Sequence, residues 1–325
     1  MSLLRRIKDR ARPGEDIGLD RTGSKGRQSI IGANGSYNME RKTGRVLGNF
    51  YPYHWLITTK WSHYWLTLIC FYLGMNVLFA VIYFALGVNN LSGVTGDTPG
   101  MQLLYCFFFS AQSFTTVGYG GIHPTGIASN FVAVLEAFIG LMTFVLATGT
   151  LYGRFSRPIS RIKYSDHMII APFGNISGLQ FMVANEMNSG LMEMEARVNL
   201  SWLEDEEDKS VRRFQQVKLE IDKIAMFPTS WTINHPIDEE SALYGKTMEE
   251  LERMDVEVFI LLKGFDDVFS QTIYSRHSYT FKQFVYGARF RRPFHTNDEG
   301  KVVMDLTKVG EYDHVAIPHM QVATA

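Results

Sequence analysis

Along this 325-residue chain the apolar positions fall into long uninterrupted runs first and a period-two pattern later. Residues 65–88 carry no charge, and Leu66, Leu68, Ile69, Phe71, Val77, Phe79, Ile82 and Phe84 make the run strongly apolar. As helix it would rise about 36 Å, enough to cross a hydrocarbon core of about 30 Å. A second run, 127–152, is interrupted only by Glu136. Between them, 101–114 reads MQLLYCFFFSAQSF, which is apolar but too short to span. Such a segment predicts a re-entrant helix whose backbone is covered by other protein, with Pro99 suited to its first turn. Farther on, Met192, Met194, Ala196, Val198, Leu200 and Trp202 alternate with polar neighbours, as do Val217, Leu219 and Ile221. Both patterns predict half-buried strands, joined across the acidic loop 204–208. A more buried strand is expected over 256–262 and one short helix over 247–254. Together these elements predict a β-sandwich.

Charge sharpens the division. The whole chain is nearly neutral, at −1, with 46% hydrophobic residues. Residues 1–63 hold 12 Lys and Arg against 5 Asp and Glu, whereas 64–153 hold only Asp97 and Glu136. The remainder, 154–325, holds 20 basic and 26 acidic side chains. Near-neutrality is thus a cancellation between a basic arm, an almost uncharged middle and an acidic C-terminal part. Basic residues flank the spans at Arg41, Lys42, Arg45 and Lys60, and at Arg154, Arg157, Arg161 and Lys163, while the connection 89–126 has none. The positive-inside rule then puts both termini on the cytoplasmic side of a cell membrane. A secretory signal is not expected, because the first apolar run lies too deep in the chain and is too long. The expected organisation is a flexible basic segment 1–45, an interfacial slide helix 46–63, a transmembrane pore domain 64–155 and a β domain 156–325. Within the pore domain the spans are expected at 64–88 and 127–153 and the re-entrant helix at 101–114. For 50–62, rich in Tyr, Trp and His, a plain juxtamembrane linker is the competing reading.

Directly after the re-entrant helix comes Thr115, then Thr116, Val117, Gly118, Tyr119 and Gly120. This TVGYG string, placed between a pore helix and a second span, is identified as a potassium selectivity filter. A dehydrated K+ ion needs rings of oxygen at matched heights. The carbonyls of Thr116, Val117, Gly118 and Tyr119 and the Thr116 hydroxyl would supply them as K+ ligands. Gly118 and Gly120 suit the positive φ values such a backbone requires. One loop cannot surround an ion, so four chains are expected around one axis as a C4 homotetramer.

From about residue 45 onward the sequence resembles the inward-rectifier potassium channels, particularly their bacterial branch. Besides the filter, the resemblance rests on Gly140 and Gly149, on 154–158 (RFSRP), on 235–241 (HPIDEES), on 243–245 (LYG) and on 287–290 (GARF). It implies passive, K+-selective conduction gated from the cytoplasmic side, an immunoglobulin-like cytoplasmic sandwich, and modulation by anionic or phosphoinositide lipids. It also implies possible block by Mg2+ or polyamines. Aligned on the two glycines, however, Phe144 stands where the family carries a rectification-controlling Asp or Asn, so only weak polyamine rectification is expected. Gln112 replaces a Glu behind the filter, and Ile122 the Arg that pairs with it in eukaryotic members.

Several residues carry paired expectations. Glu136, one turn before Gly140, either supports the filter or attracts ions, or it is a hydrogen-bonded structural acid. Gln112 and Thr115 join it as filter-supporting candidates. Ala137, Leu141, Phe144, Thr148 and Tyr152 share one helix face. They either line the pore, with Phe144 and Tyr152 as gates, or pack against the first span. Gly140 and Gly149 are the candidate hinges. Lys60, Arg154, Arg157, Arg161 and Lys163 either bind lipid headgroups or merely anchor the topology. Gly264, Asp266, Asp267 and Phe269 match the family's loop around the cytoplasmic pore. There the acids either attract cations or act as ordinary turn residues.

No enzyme signature emerges. Residues 154–325 lack GxGxxG, and the nine histidines show no metal-ligand spacing. No cofactor beyond bound K+ is expected, and no nucleic-acid partner. A membrane-anchored sandwich adaptor, or a potassium-transporter subunit with a non-conducting pore, is the alternative.

Overall fold

The computed structural model describes residues 51–157, 161–187, 190–206 and 209–317. The expected flexible segment 1–45, and the start of the expected slide helix, lie outside the described residues. Two compact units result, 51–157 and 161–317.

The first unit is helical. Helix α1 (Pro52–Thr58) starts on a proline at its first turn and stops where Thr59 turns extended. Lys60 is extended too, so 61–63 belong to the next helix rather than to the slide helix that the sequence predicts over 46–63. Helix α2 (Trp61–Leu86) ends at Gly87, whose φ of +96° terminates it two residues earlier than expected. A two-residue pairing of β1 (Leu91–Ser92) with β2 (His123–Pro124) ties the ends of the connection 87–126 together. Helix α3 (Pro99–Phe114) opens with Thr98 accepting from the Met101 N–H and with Pro99 at its first position. Helix α4 (Ile127–Phe155) runs unbroken through both Gly140 and Gly149. The helices α2 and α4 are long and apolar enough to cross a membrane. Phe79, Ala80, Tyr83, Leu91, Cys106 and Phe109 form the small core between α2 and α3. Gly140 brings α4 onto the end of α3: a Cβ there would lie 2.0 Å from the Phe114 carbonyl oxygen.

The second unit is a sandwich. Its strands are β3 (Ile162–Tyr164), β4 (Met168–Phe173), β5 (Ile176–Asn185), β6 (Leu191–Glu206), β7 (Lys209–Gln216), β8 (Lys223–Phe227) and β9 (Ser230–Ile237). After helix α5 (Met248–Arg253) follow β10 (Glu257–Asp266), β11 (Gln271–Thr280), β12 (Phe284–Tyr286) and β13 (Ala288–Phe290). The chain closes with β14 (Phe294–Thr296), β15 (Val302–Met304) and β16 (Tyr312–His314). One sheet has the order β11-β10-β6-β7 with β8 also on β6, the other β12-β4-β5-β3 with β9 on β5. The register pairs Val258 with Leu200, Ile260 with Val198 and Leu262 with Ala196. These inward residues meet Met168, Ile170, Leu179, Phe181, Val183 and Ile233 of the other sheet in one core. The capping box at Thr247 and Glu250 fixes α5 where the sequence expects a helix.

One expected strand fails. Residues 217–222 are irregular despite their alternation. Their backbone divides its hydrogen bonds between the sheets: the Val217 N–H donates to Val198 O and the Glu220 N–H to Asn234 O, while Asp222 O accepts from the Ala196 N–H. Alternation there records a crossing between two sheets, not a ladder.

Candidate functional site

The filter sequence is anchored by the C-terminal end of α3. The Thr116 N–H donates to Ser113 O at 3.0 Å, and the Val117 N–H to Gln112 O at 2.9 Å. Gln112 O also accepts from the Gly118 N–H at 3.3 Å. Gln112, expected to support the filter, therefore contributes its backbone carbonyl directly. The Thr115 hydroxyl turns back to Ala111 O at 2.7 Å, inside the helix end.

Positive φ occurs at Thr116 (+59°), Gly118 (+53°) and Gly120 (+80°), and not at Val117 or Tyr119. The two glycines are where the sequence places such angles. Thr116 is not, because a β-branched residue is strained there by roughly 1–3 kcal/mol. A backbone alternating between left-handed and ordinary conformations can turn successive carbonyls to one side, which a ring of ion ligands requires. Strain concentrated in a functional loop fits that geometry better than it fits a plain turn. Val117 and Tyr119 are both exposed in the single chain.

Glu136 is completely buried. Its Oε2 accepts from the Tyr83 hydroxyl at 2.7 Å, and its Oε1 lies 2.5 Å from Ser110 Oγ. Ser110 Oγ is in turn 3.1 Å from Asn76 Oδ1, and Asn76 Nδ2 donates to Tyr72 O at 2.7 Å. One carboxyl thus joins α2, α3 and α4. Of the two expectations for Glu136, this geometry fits the hydrogen-bonded acid, one that can still support the filter through α3. Nothing in the sequence singled out Asn76, Tyr83 or Ser110. The available signal was their polarity within apolar helices, with Asn76 and Tyr83 two turns apart on one face.

On α4, Phe144 and Tyr152 are 71% and 73% exposed in the single chain. Leu141 and Thr148 are exposed and Ala137 half-buried on the same face. Leu141 and Phe144 border a cavity of about 520 Å³ with Leu68, Tyr72, Phe114 and Thr116. The two glycines differ: Gly140 is required by contact with Phe114, whereas a Cβ on Gly149 would meet nothing within 4 Å. Gly140 is therefore a packing glycine before it is a hinge.

The basic residues divide likewise. Arg154 donates to Leu56 O at 2.6 Å, in the last turn of α1, and to Thr59 O at 2.7 Å, just past its end. Its guanidinium also sits 4.4 Å from the Trp61 ring centre and 4.8 Å from that of Tyr64. A cation at a helix C-terminus is favourable, so Arg154 clamps α1 to α4 instead of facing outward. The side chain of Lys163 donates to Leu306 O at 2.7 Å. Only Lys60, Arg157 and Arg161 of the five are exposed.

In the sandwich, Gly264 lies against Met194, where a Cβ would come within 2.1 Å of the sulfur. Asp266 is buried, and its Oδ1 accepts from the Val268 and Phe269 N–H groups at 2.9 and 3.1 Å. That is a turn-capping acid, the second of the two expectations for it. Asp267 is exposed and Phe269 half-buried.

Comparison with known proteins follows the same division. A family model described as the inward rectifier potassium channel C-terminal domain matches residues 162–325, and one described as ion channel matches 67–157. The chain is 32% identical over 287 residues to inward rectifier potassium channel Kirbac3.1 of Paramagnetospirillum magnetotacticum, covering 87% of this chain and 95% of that one. It is 25% identical to inward rectifier potassium channel 18 of Homo sapiens, covering 78% of this chain and 62% of that one. With the human G protein-activated inward rectifier potassium channel 1 it shares 24% identity over 91% of this chain and 63% of the relative. It thus spans about three fifths of the length of the two human proteins.

Proposed function

The chain belongs to the inward rectifier potassium channel family, and on that premise we propose that it conducts K+ selectively as a homotetramer around one axis. The observation that carries the reading is the alternation of positive φ at Thr116, Gly118 and Gly120 within TVGYG, pinned to the end of α3 through Gln112 O. Carbonyls of 116–119 and the Thr116 hydroxyl replace the hydration shell of the ion. The C-terminal end of α3 adds a partial negative charge favourable to a cation.

The basic residues flanking both spans, with none in the connection 89–126, favour cytoplasmic termini. Phe144 and Tyr152, repeated four times on an exposed helix face, narrow the path and close it by dewetting. Arg154 links the base of α4 to α1, where Tyr53, Trp55 and the preceding Tyr51 are exposed and suited to the headgroup layer. Lys60, Arg157 and Arg161 attract anionic lipid, on the order of 1 kcal/mol each. With Phe144 in place of an acid, polycations bind weakly and rectification is slight.

Purified protein in liposomes loaded with K+ is expected to take up radioactive rubidium in a barium-sensitive manner. Absence of barium-sensitive uptake, with and without anionic lipid, sinks the proposal and leaves a membrane-anchored adaptor. In the same preparation Phe144→Asp is expected to create spermine block, and strong block of the unaltered protein would refute the account of rectification.

A further inference from the structure

Proton counting around Glu136 leads further. Three oxygen–oxygen contacts meet there: Tyr83 to Glu136 at 2.7 Å, Ser110 to Glu136 at 2.5 Å, and Ser110 to Asn76 at 3.1 Å. Each hydrogen bond needs one proton, and a serine hydroxyl owns only one to give. Tyr83 supplies the first contact. Reversing the Asn76 amide does not help, because it would set Oδ1 against Tyr72 O at 2.7 Å with no proton between them. Asn76 Oδ1 is therefore an acceptor, and Ser110 is the donor within reach of it. The contact between Ser110 and Glu136 then lacks a proton unless Glu136 carries one.

The surroundings agree. Residues 64–153 contain no Lys or Arg, and their one other acid is Asp97. The titratable groups packed about the carboxyl are Tyr83 from α2 and Cys106 from α3, both buried and neither cationic. A carboxylate buried among helices without a cation is far costlier than its neutral acid.

We propose that Glu136 is held as the neutral acid and donates to Ser110, which passes its own proton to Asn76, whose amide donates to Tyr72 O. The chain of donors runs one way from α4 through α3 to α2. Ser110 lies two residues before Gln112 and three before Ser113, whose carbonyls hold the Val117, Gly118 and Thr116 N–H groups. Glu136, Ser110 and Asn76 are thus positioning residues: they fix α3 against both spanning helices, and α3 fixes the filter. The protonation state stands on the geometry alone, whereas the effect on ion selection rests on the channel reading above.

Infrared difference spectroscopy of the reconstituted full chain at neutral pH tests the state directly. The carbonyl stretch of a protonated carboxyl is expected in the unaltered protein and is expected to vanish in Glu136→Gln. In Ser110→Ala the band is expected to persist and shift to higher frequency, because the acid loses its acceptor. No such band, or one that neither variant alters, overturns the proposal. For positioning, Glu136→Ala is expected to lower the preference for K+ over Na+ roughly tenfold. Glu136→Gln, whose amide can turn an N–H toward Ser110 and its carbonyl toward Tyr83, is expected to restore it, and failure of that rescue overturns the positioning role. Absence of flux in the unaltered protein would reject the channel reading while the infrared band still decides the protonation.

Discussion

In the sandwich the Arg212 guanidinium is buried beside Asp255, within 3.8 Å of Glu257 and 3.0 Å of Ser201 Oγ. In the helical unit the Glu136 carboxyl is just as buried, among two hydroxyls and no cation. Both are ionisable groups removed from water, and the difference lies in what the surrounding sequence supplies. A segment with 20 basic and 26 acidic residues can furnish counter-charges, so the sandwich keeps its ion buried and paired. A segment with two acids and no base cannot, so the helical unit keeps a polar group that is neutral and satisfied by hydrogen bonds. Each solution depends on its partners in a different way.

Breaking the ion pair is expected to have the largest effect. Arg212→Ala removes the buried cation that faces Asp255 and Glu257 and is expected to cost about 3–5 kcal/mol of sandwich stability. Chemical denaturation followed by the fluorescence of Trp202 and Trp231 would measure it. Arg212→Met removes the same charge but keeps the volume of the stem, so a nearly equal loss is expected, and a Met variant as stable as the unaltered protein would mean that volume and not charge is decisive.

Breaking the neutral network comes next. Ser110→Ala leaves a buried acceptor on Asn76 and a buried donor on Glu136 without partners, an expected cost of about 1–3 kcal/mol. Because that network lies between α2, α3 and α4, the loss should appear as a lower melting temperature of the reconstituted protein. A melting curve unchanged by the substitution would contradict the account.

His235 sharpens the comparison with the smallest effect. It is a titratable group in the sandwich that is buried without a close ion pair: Nδ1 lies 2.7 Å from Lys218 O and Nε2 2.8 Å from Ser241 Oγ. Lys218 O can only accept, so Nδ1 donates to it, and Nε2 of the neutral ring accepts from the Ser241 hydroxyl. Burial therefore lowers the His235 pKa below its ordinary 6.5, against a smaller opposing pull from Lys218 O and Asp238. The unfolded chain takes up a proton there before the folded one does. Stability is then full above about pH 6.5 and falls as pH drops through and below that value, by at most about 1.4 kcal/mol per pH unit. Denaturation midpoints at pH 7.5 and 5.5 in the unaltered protein and in His235→Gln would isolate this share. An identical pH slope in both would remove His235 as its source.

Much of this was legible in the sequence because it depends on local chemistry. The lengths of the apolar runs place α2 and α4 to within a few residues. Pro99 and the string 116–120 place the pore helix and the loop that follows it. Alternation finds β6, and the more buried stretch 256–262 finds most of β10. The same alternation misleads at 217–222, where hydrogen bonds go to two different sheets. The polar partners of Glu136 were hidden because a Tyr, a Ser and an Asn within apolar helices look unremarkable until helix packing brings them together. Arg154 was misjudged for a related reason: flanking charge marks the end of a span, but only the return of α1 reveals carbonyls for that guanidinium to hold.

What the sequence by itself determined is the partition of this protein into an uncharged spanning part and a charged sandwich, together with the filter string. Run length, period and charge density act through local physics and require no knowledge of neighbours. Only the tertiary structure decided that Gly140 serves a close contact, that Thr116 takes a left-handed backbone, and that Glu136 has hydroxyls and no cation around it. Those features depend on which atoms come within a few ångströms across helices distant in sequence, and no pattern along one chain specifies that.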